Sequence, residues 1–278
     1  MFKLALVQMK VEGGQSKANT VTAVARISEA AAAGAKVVLL PEAFTLGWTH
    51  PSAVVLAEPI PEGPSCQALM AAAKENSVYV CAGFVEQTRS SIFNSAILID
   101  PLGEVVLRHR KINELDIAHG LYAQGDRLGV VKTPLGTIGL MICADAFATG
   151  QVISRTLGLM GADVILSPSS WAVPANHDNI KDPYGKLWLE SYGIVARDFG
   201  IWIAGVSNVG LITSGPWSGR KCIGCSLVVN PDGVPVVQGA YGEDAEEILY
   251  IEILSHERPT RATGWMNRVP LQDEVRCR

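Results

Sequence analysis

The sequence predicts a mixed α/β protein built in stacked layers, and two observations carry that prediction. Short apolar runs of strand character alternate with amphipathic runs of helical character along most of the chain. Two turns of the same chemistry, Asp100-Pro101-Leu102-Gly103 and Asn230-Pro231-Asp232-Gly233, each separate two strand-like runs and so mark hairpins.

Taken in order, Phe2 to Met9 is apolar and bounded by Gly13-Gly14, a strand. Lys17 to Ala33 is Ala-rich and closes at Gly34, a helix with a C-terminal stop. Val37 to Leu40 is a short buried strand ended by Pro41, Ser65 to Glu75 a helix, and Val78 to Val85 a strand. Ile92 to Ile99 and Val105 to Arg108 flank the first hairpin turn. Strands at Gly129 to Lys132 and Thr137 to Ile142 precede a helix at Val152 to Met160. Then come a strand at Val164 to Leu166, a helix over Asp182 to Phe199, and a strand at Ile201 to Val206. Lys221 to Val229 reads as one strand, its end entering the second hairpin with Val234 to Gln238. No repeat, low-complexity linker or charge block divides the chain. The expected organisation is one domain over residues 1–255 and a polar, irregular tail from His256 to Arg278.

Composition narrows the function. Of 278 residues, 48% are hydrophobic and 18% charged, which supports a large core and excludes disorder. The net charge of -4 lacks the basic excess of a nucleic-acid surface. A mean hydropathy of +0.23 is high, yet no apolar run approaches the ~18 residues of a membrane span. The first residues lack the apolar core and cleavage site of a signal peptide, so a cytoplasmic location is expected. Six cysteines in such a chain give no disulfide framework. Cys222 and Cys225 have metal spacing, but no second pair or His cluster accompanies them, and no metal is expected.

Three strand ends carry reactive residues. In Leu39-Leu40-Pro41-Glu42 a carboxylate follows an apolar strand directly, and partial desolvation favours its protonated form, as suits a base poised near neutrality. In His109-Arg110-Lys111 a cation stands where a closed pocket would make it an oxyanion partner. In Met141-Ile142-Cys143-Ala144-Asp145 a strand delivers a thiol into a turn of small residues before a helix, the layout of a nucleophile elbow. Each alone reads first as a surface or packing residue. Their coincidence at the same kind of strand end does not.

This ordered set, with its Leu-Pro-Glu, His-Arg-Lys and Met-Ile-Cys flanks, resembles the nitrilase superfamily of carbon-nitrogen hydrolases, in its amidase and carbamoylase branch. Gly161 to Leu166 with Pro168 to Trp171, Ser207 to Gly210, Gly219 with Ile223 to Ser226, and Pro231-Asp232-Gly233 agree, so the similarity runs from about Phe2 to Ile253. The resemblance implies a four-layer α-β-β-α sandwich, a homodimer or larger homo-oligomer formed through a helical face, and a tail reaching the partner. It implies Cys143 as nucleophile, Glu42 as general base, Lys111 as the polarising cation, the Ala144 backbone N–H in the oxyanion hole, and no cofactor. Either Glu114 or His119 would support Lys111. Phe44, Trp48, Ser170 and Trp171 would line the substrate pocket. His177, Asp178, Asp182 and Tyr184 lie on a loop that either selects a polar substrate end or is simply solvated.

Asp145, two residues after the cysteine, resembles amidases and carbamoylases more than true nitrilases. The expected reaction is therefore hydrolysis of a small linear amide or N-carbamoyl compound, through a thioester, with release of ammonia or amine. A nitrile hydrolase of the same superfamily and a non-catalytic binding protein are the alternatives. A metal-dependent phosphohydrolase would need clustered Asp, Asn and His ligands, which five scattered histidines do not supply.

Overall fold

A computed structural model describes residues 1–254, and the predicted tail from His256 to Arg278 lies outside the described residues. The first sheet takes β1 (Phe2–Gln8), β2 (Val37–Leu39), β3 (Tyr79–Gln87), β4 (Ile92–Ile99) and β5 (Val105–Arg110). The second takes β6 (Val130–Thr133), β7 (Gly136–Leu140) and β8 (Val164–Ser169). After a two-residue strand, β9 (Ala172–Val173), it continues with β10 (Trp202–Ser207). Next come β11 (Val209–Leu211) and β12 (Lys221–Ile223), which join β9 in a small third sheet, then β13 (Leu227–Val229) and β14 (Pro235–Gln238). The last described strand, β15 (Glu247–Ile253), returns to pair antiparallel with all of β1. The sheet orders are β15-β1-β2-β3-β4-β5 and β14-β13-β10-β8-β7-β6.

The layers follow from period-two alternation on strands buried on both faces. In β1, Leu4 and Leu6 face the second sheet while Ala5 and Val7 face helices α1 (Ser16–Ala32) and α3 (Pro64–Asn76). The four-residue α2 (Ala53–Leu56) sits between these two in sequence. In β3, Cys81 joins the inter-sheet core while Val80 and Ala82 join the helical side. Helices α4 (Val152–Leu159) and α5 (Lys186–Phe199) cover the outer face of the second sheet with Leu157, Trp188, Tyr192 and Val195. The result is the four-layer α-β-β-α sandwich. Among the described residues no helix is long and apolar enough to cross a membrane.

Three expectations are corrected. Lys221 to Val229 is not one strand. Gly224 (φ 65°) and Cys225 (φ 59°) adopt left-handed backbone, which no strand can run through, so β12 and β13 enter different sheets. The helix expected from Asp182 starts at Lys186, because Gly185 (φ 120°) breaks the backbone, and Asp182 to Gly185 form loop instead. The strand expected to stop at Arg108 runs to Arg110. Alternation along that extension turns Arg108 and Arg110 outward onto Glu86 and His109 inward. Strand β15 is absent from the expected elements although five of its seven residues are apolar or aromatic, three of them Ile, so its signal was present in the sequence.

Candidate active site

Glu42 follows the end of β2 by three residues and is held there by backbone. Its N–H donates to the Ser169 carbonyl of β8 (3.2 Å), which fixes it between the two sheets. Gly83 of β3 makes the approach possible, since a Cβ there would stand 2.6 Å from the Glu42 Cα and 2.8 Å from the Pro41 carbonyl oxygen. The carboxylate is buried. Burial pushes its pKa up, against the opposing pull of the Lys111 ammonium.

Lys111 is the first residue after β5 and is equally buried. Its Nζ donates to Glu42 Oε1 (2.8 Å) and to Glu114 Oε1 (3.0 Å). Burial alone would lower the ammonium, but the Glu42 and Glu114 carboxylates override it and hold the group charged well above its ordinary value. The Asn94 amide from β4 spans the same two acids, donating to Glu42 Oε1 (2.7 Å) and Glu114 Oε2 (3.0 Å). Asn94 was not anticipated. An Asn in the middle of a buried strand must find polar partners, and that was the signal available. His119 does not touch Lys111: its ring is exposed, and Nε2 faces the Glu114 carbonyl oxygen at 3.2 Å.

Cys143 lies three residues past β7 at the start of a short 3-10 helix, Cys143–Phe147. Its φ of 43° is a left-handed conformation that costs a non-glycine residue about 1–3 kcal/mol. Burial, then the Glu42 carboxylate, push the thiol well above its ordinary pKa, while Lys111 and a backbone N–H of Ser170 pull the other way. Ala144 occupies the first turn of that helix, where amides lack intrahelical partners. Asp145 is buried and braces the turn. Its Oδ2 accepts from His109 Nε2 (2.7 Å) and the Ile142 N–H (2.9 Å), and its Oδ1 from the N–H groups of Ile112 (3.2 Å) and Asn113 (2.8 Å).

Glu42, Lys111, Cys143 and Ala144 all open onto one cavity of about 300 Å3. Trp48, Ser170 and Trp171 line it as well, as do His177, Asp182 and Tyr184 of the loop before α5. Phe44 does not. It is buried against the α1 and α3 side of the first sheet, edge-on to Phe84 with centroids 4.9 Å apart. Regular alternation would put Phe44 on the same face as Glu42, but Ala43 (φ 46°) breaks it, and the Phe44 N–H joins β3 at the Gly83 carbonyl (2.9 Å). The cavity also gains Trp188 from α5, Trp217 and Phe147, which residue spacing alone gave no means of finding. Among the described residues no group of three or more His, Cys, Asp or Glu is arranged to hold a metal ion.

The sequence matches the carbon-nitrogen hydrolase family over residues 3–262. It is similar to a nitrilase of Pyrococcus abyssi, 36% identical over 179 residues, which cover 63% of this chain and 67% of that protein. It is also similar to the omega-amidase NIT2 of Mus musculus, 34% identical over 154 residues, 52% of this chain and 55% of that one. The chain thus aligns with only about half the length of the mouse relative. Among solved structures, an amidase from Nesterenkonia sp. AN1 superposes with a TM-score of 0.76 at 18% identity, covering 91% of this chain and 90% of that one. That structure is of a mutant of the amidase, with the acetamide moiety of fluoroacetamide added covalently at its active-site cysteine. At this identity the likeness speaks for the fold.

Proposed function

The chain belongs to the carbon-nitrogen hydrolase family, and from that premise we propose that it hydrolyses a small linear amide or N-carbamoyl compound through a thioester on Cys143. The observation that carries the reading is the Lys111 ammonium clamped at 2.8 Å and 3.0 Å between Glu42 and Glu114, in the cavity that Cys143 enters.

The thiol rests protonated, because burial and the Glu42 charge both disfavour a thiolate. Sγ attacks the carbonyl carbon while its proton passes to Glu42, whose raised pKa suits a group that must accept and then release a proton. The oxyanion that forms is held by Lys111 and the Ala144 N–H, one such donor being worth about 3 kcal/mol in the transition state. Glu42 then protonates the departing nitrogen, and ammonia or amine leaves. Water gives its proton to Glu42, adds to the thioester, and the acid leaves as Sγ recovers a proton. Asn94 and Glu114 keep Glu42 and Lys111 in register throughout, since each bonds to the cluster at 3.0 Å or less. No step calls on a cofactor.

Assembly and location complete the proposal. Val152, Leu159, Leu187 and Ile194 are exposed on α4 and α5, which supports pairing of two copies through that helical face, and sedimentation would report it. The five described cysteines are free thiols, which supports a reducing compartment such as the cytoplasm.

The test is an ammonia-release assay on a panel of amides, carbamoyl compounds and nitriles, with Cys143→Ala and a chelator as controls. Release that survives the chelator and vanishes in Cys143→Ala is expected. Equal release from both proteins would remove Cys143 as nucleophile, and release from nitriles alone would move the chain to the nitrile branch.

A further inference from the structure

Much of the cavity wall is aromatic, and part of its polar inventory is tied up within the wall itself. Of the six tryptophans in the chain, Trp48, Trp171, Trp188 and Trp217 all line this one cavity. Trp171 and Trp188 stack with centroids 4.7 Å apart at 23°. The Trp188 indole N–H donates to the Tyr184 hydroxyl (2.8 Å), so that hydrogen bond closes within the wall. The indole nitrogens of Trp48 and Trp171 have no hydrogen-bond partner but are buried out of reach of solvent, so these residues present the cavity with their carbon surface. His177 on the same wall is likewise engaged, its Nδ1 lying 2.8 Å from the Tyr241 hydroxyl.

Charge recognition is missing from that wall. A charged substrate end drawn into such a space must find a buried partner, or its desolvation opposes binding. Among the described residues lining the cavity, the buried charges are Glu42 and Lys111, and they pair with each other, with Glu114 behind them. Of the other ionisable groups on the lining, Lys186 and Asp182 are solvated at the rim, their side chains 86% and 88% exposed, and His177, 12% exposed, already faces Asp182 with its Nε2 at 3.6 Å.

We propose that this site selects amides whose non-reacting end is neutral, flat and apolar, such as a phenylalkyl chain, over amides carrying a second carboxylate or an ammonium. Stacked and edge-on rings offer such a group extended carbon surface, and a cavity of about 300 Å3 is at the small end for a ligand site, enough for one ring and a short chain. The inference rests on the amide-hydrolase reading above.

The experiment compares 3-phenylpropionamide, butyramide, succinamate and 4-aminobutyramide on the full chain, measuring kcat/KM. The same four compounds are titrated calorimetrically into Cys143→Ala, which reads binding without turnover. The aryl amide is expected to exceed butyramide by about tenfold or more, and the two charged amides by about a hundredfold. Trp188→Leu should shrink the aryl-to-butyl ratio mainly through KM, and Trp188→Phe should restore part of it. Circular dichroism on both variants checks that the fold survives. Equal use of butyramide and the aryl amide, or preference for either charged amide, overturns the inference while leaving amide hydrolysis standing. Aryl-selective binding to Cys143→Ala with no turnover by the native chain would do the reverse.

Discussion

His109 Nε2 lies 2.7 Å from Asp145 Oδ2, with both side chains fully buried, and this contact joins the strand that delivers Lys111 to the turn that delivers Cys143. The same carboxylate accepts the N–H groups of Ile112 and Asn113 on one side and of Ile142 on the other. One acid therefore ties the segment carrying the Lys111 ammonium to the turn carrying the Cys143 thiol. Burial would raise its pKa, but the His109 hydrogen bond and the backbone donors together hold it below the usual 3.8.

Replacing Asp145 by Asn keeps the shape and removes the charge. Denaturant unfolding should show a loss of about 3 kcal/mol, the scale of a broken buried pair. Because the folded pKa is depressed, the contribution of Asp145 is fully present above pH 3.8 and is lost as pH falls through the folded value. The variant should therefore lose part of the acid sensitivity of the native chain, and an unchanged acid profile would refute the role given to this carboxylate.

The pH dependence of kcat/KM should have a single acid limb, set by Glu42 and displaced above the ordinary carboxylate value of 4.5, because burial favours the neutral acid. Activity rises as Glu42 ionises and becomes able to take the thiol proton. No alkaline fall is expected near neutrality, since Lys111 and the Cys143 thiol both titrate well above their ordinary values. A limb at or below 4.5 would speak against Glu42 as the base.

Glu114 and His119 make opposite predictions. Glu114→Gln weakens one of the two contacts that fix the Lys111 ammonium and should lower kcat by about a hundredfold, with a smaller change in KM. His119→Ala alters an exposed ring and should stay within about twofold of the native rate. Reversal of the two effects in steady-state kinetics would return the supporting role to His119.

Phe44→Ala should act on the fold. The ring packs against Phe84 in the core beneath α1 and α3, so its loss is expected to cost about 3–5 kcal/mol in chemical denaturation. KM for a good substrate should scarcely move in protein that remains folded. A large KM effect at native stability would place the ring back in the pocket.

The sequence by itself determined the mixed α/β class and the reactive set. The alternation of apolar strand runs with helical runs, the two Pro-Gly turns and the strand ends before Glu42, Lys111 and Cys143 are local properties, written in residues that follow one another. Local reading failed where a single backbone angle redirects the chain: Ala43 turns Phe44 into the core, Gly224 and Cys225 split one apparent strand between two sheets, and Gly185 delays α5. What only the tertiary structure decided is which distant side chains meet. Asn94 spanning Glu42 and Glu114, His109 on Asp145, and Trp188 stacked on Trp171 come from elements 20 to 52 residues apart or from facing layers. Their partners are chosen by sheet order and register, and those are settled by the burial of whole faces rather than by the residues beside each of them.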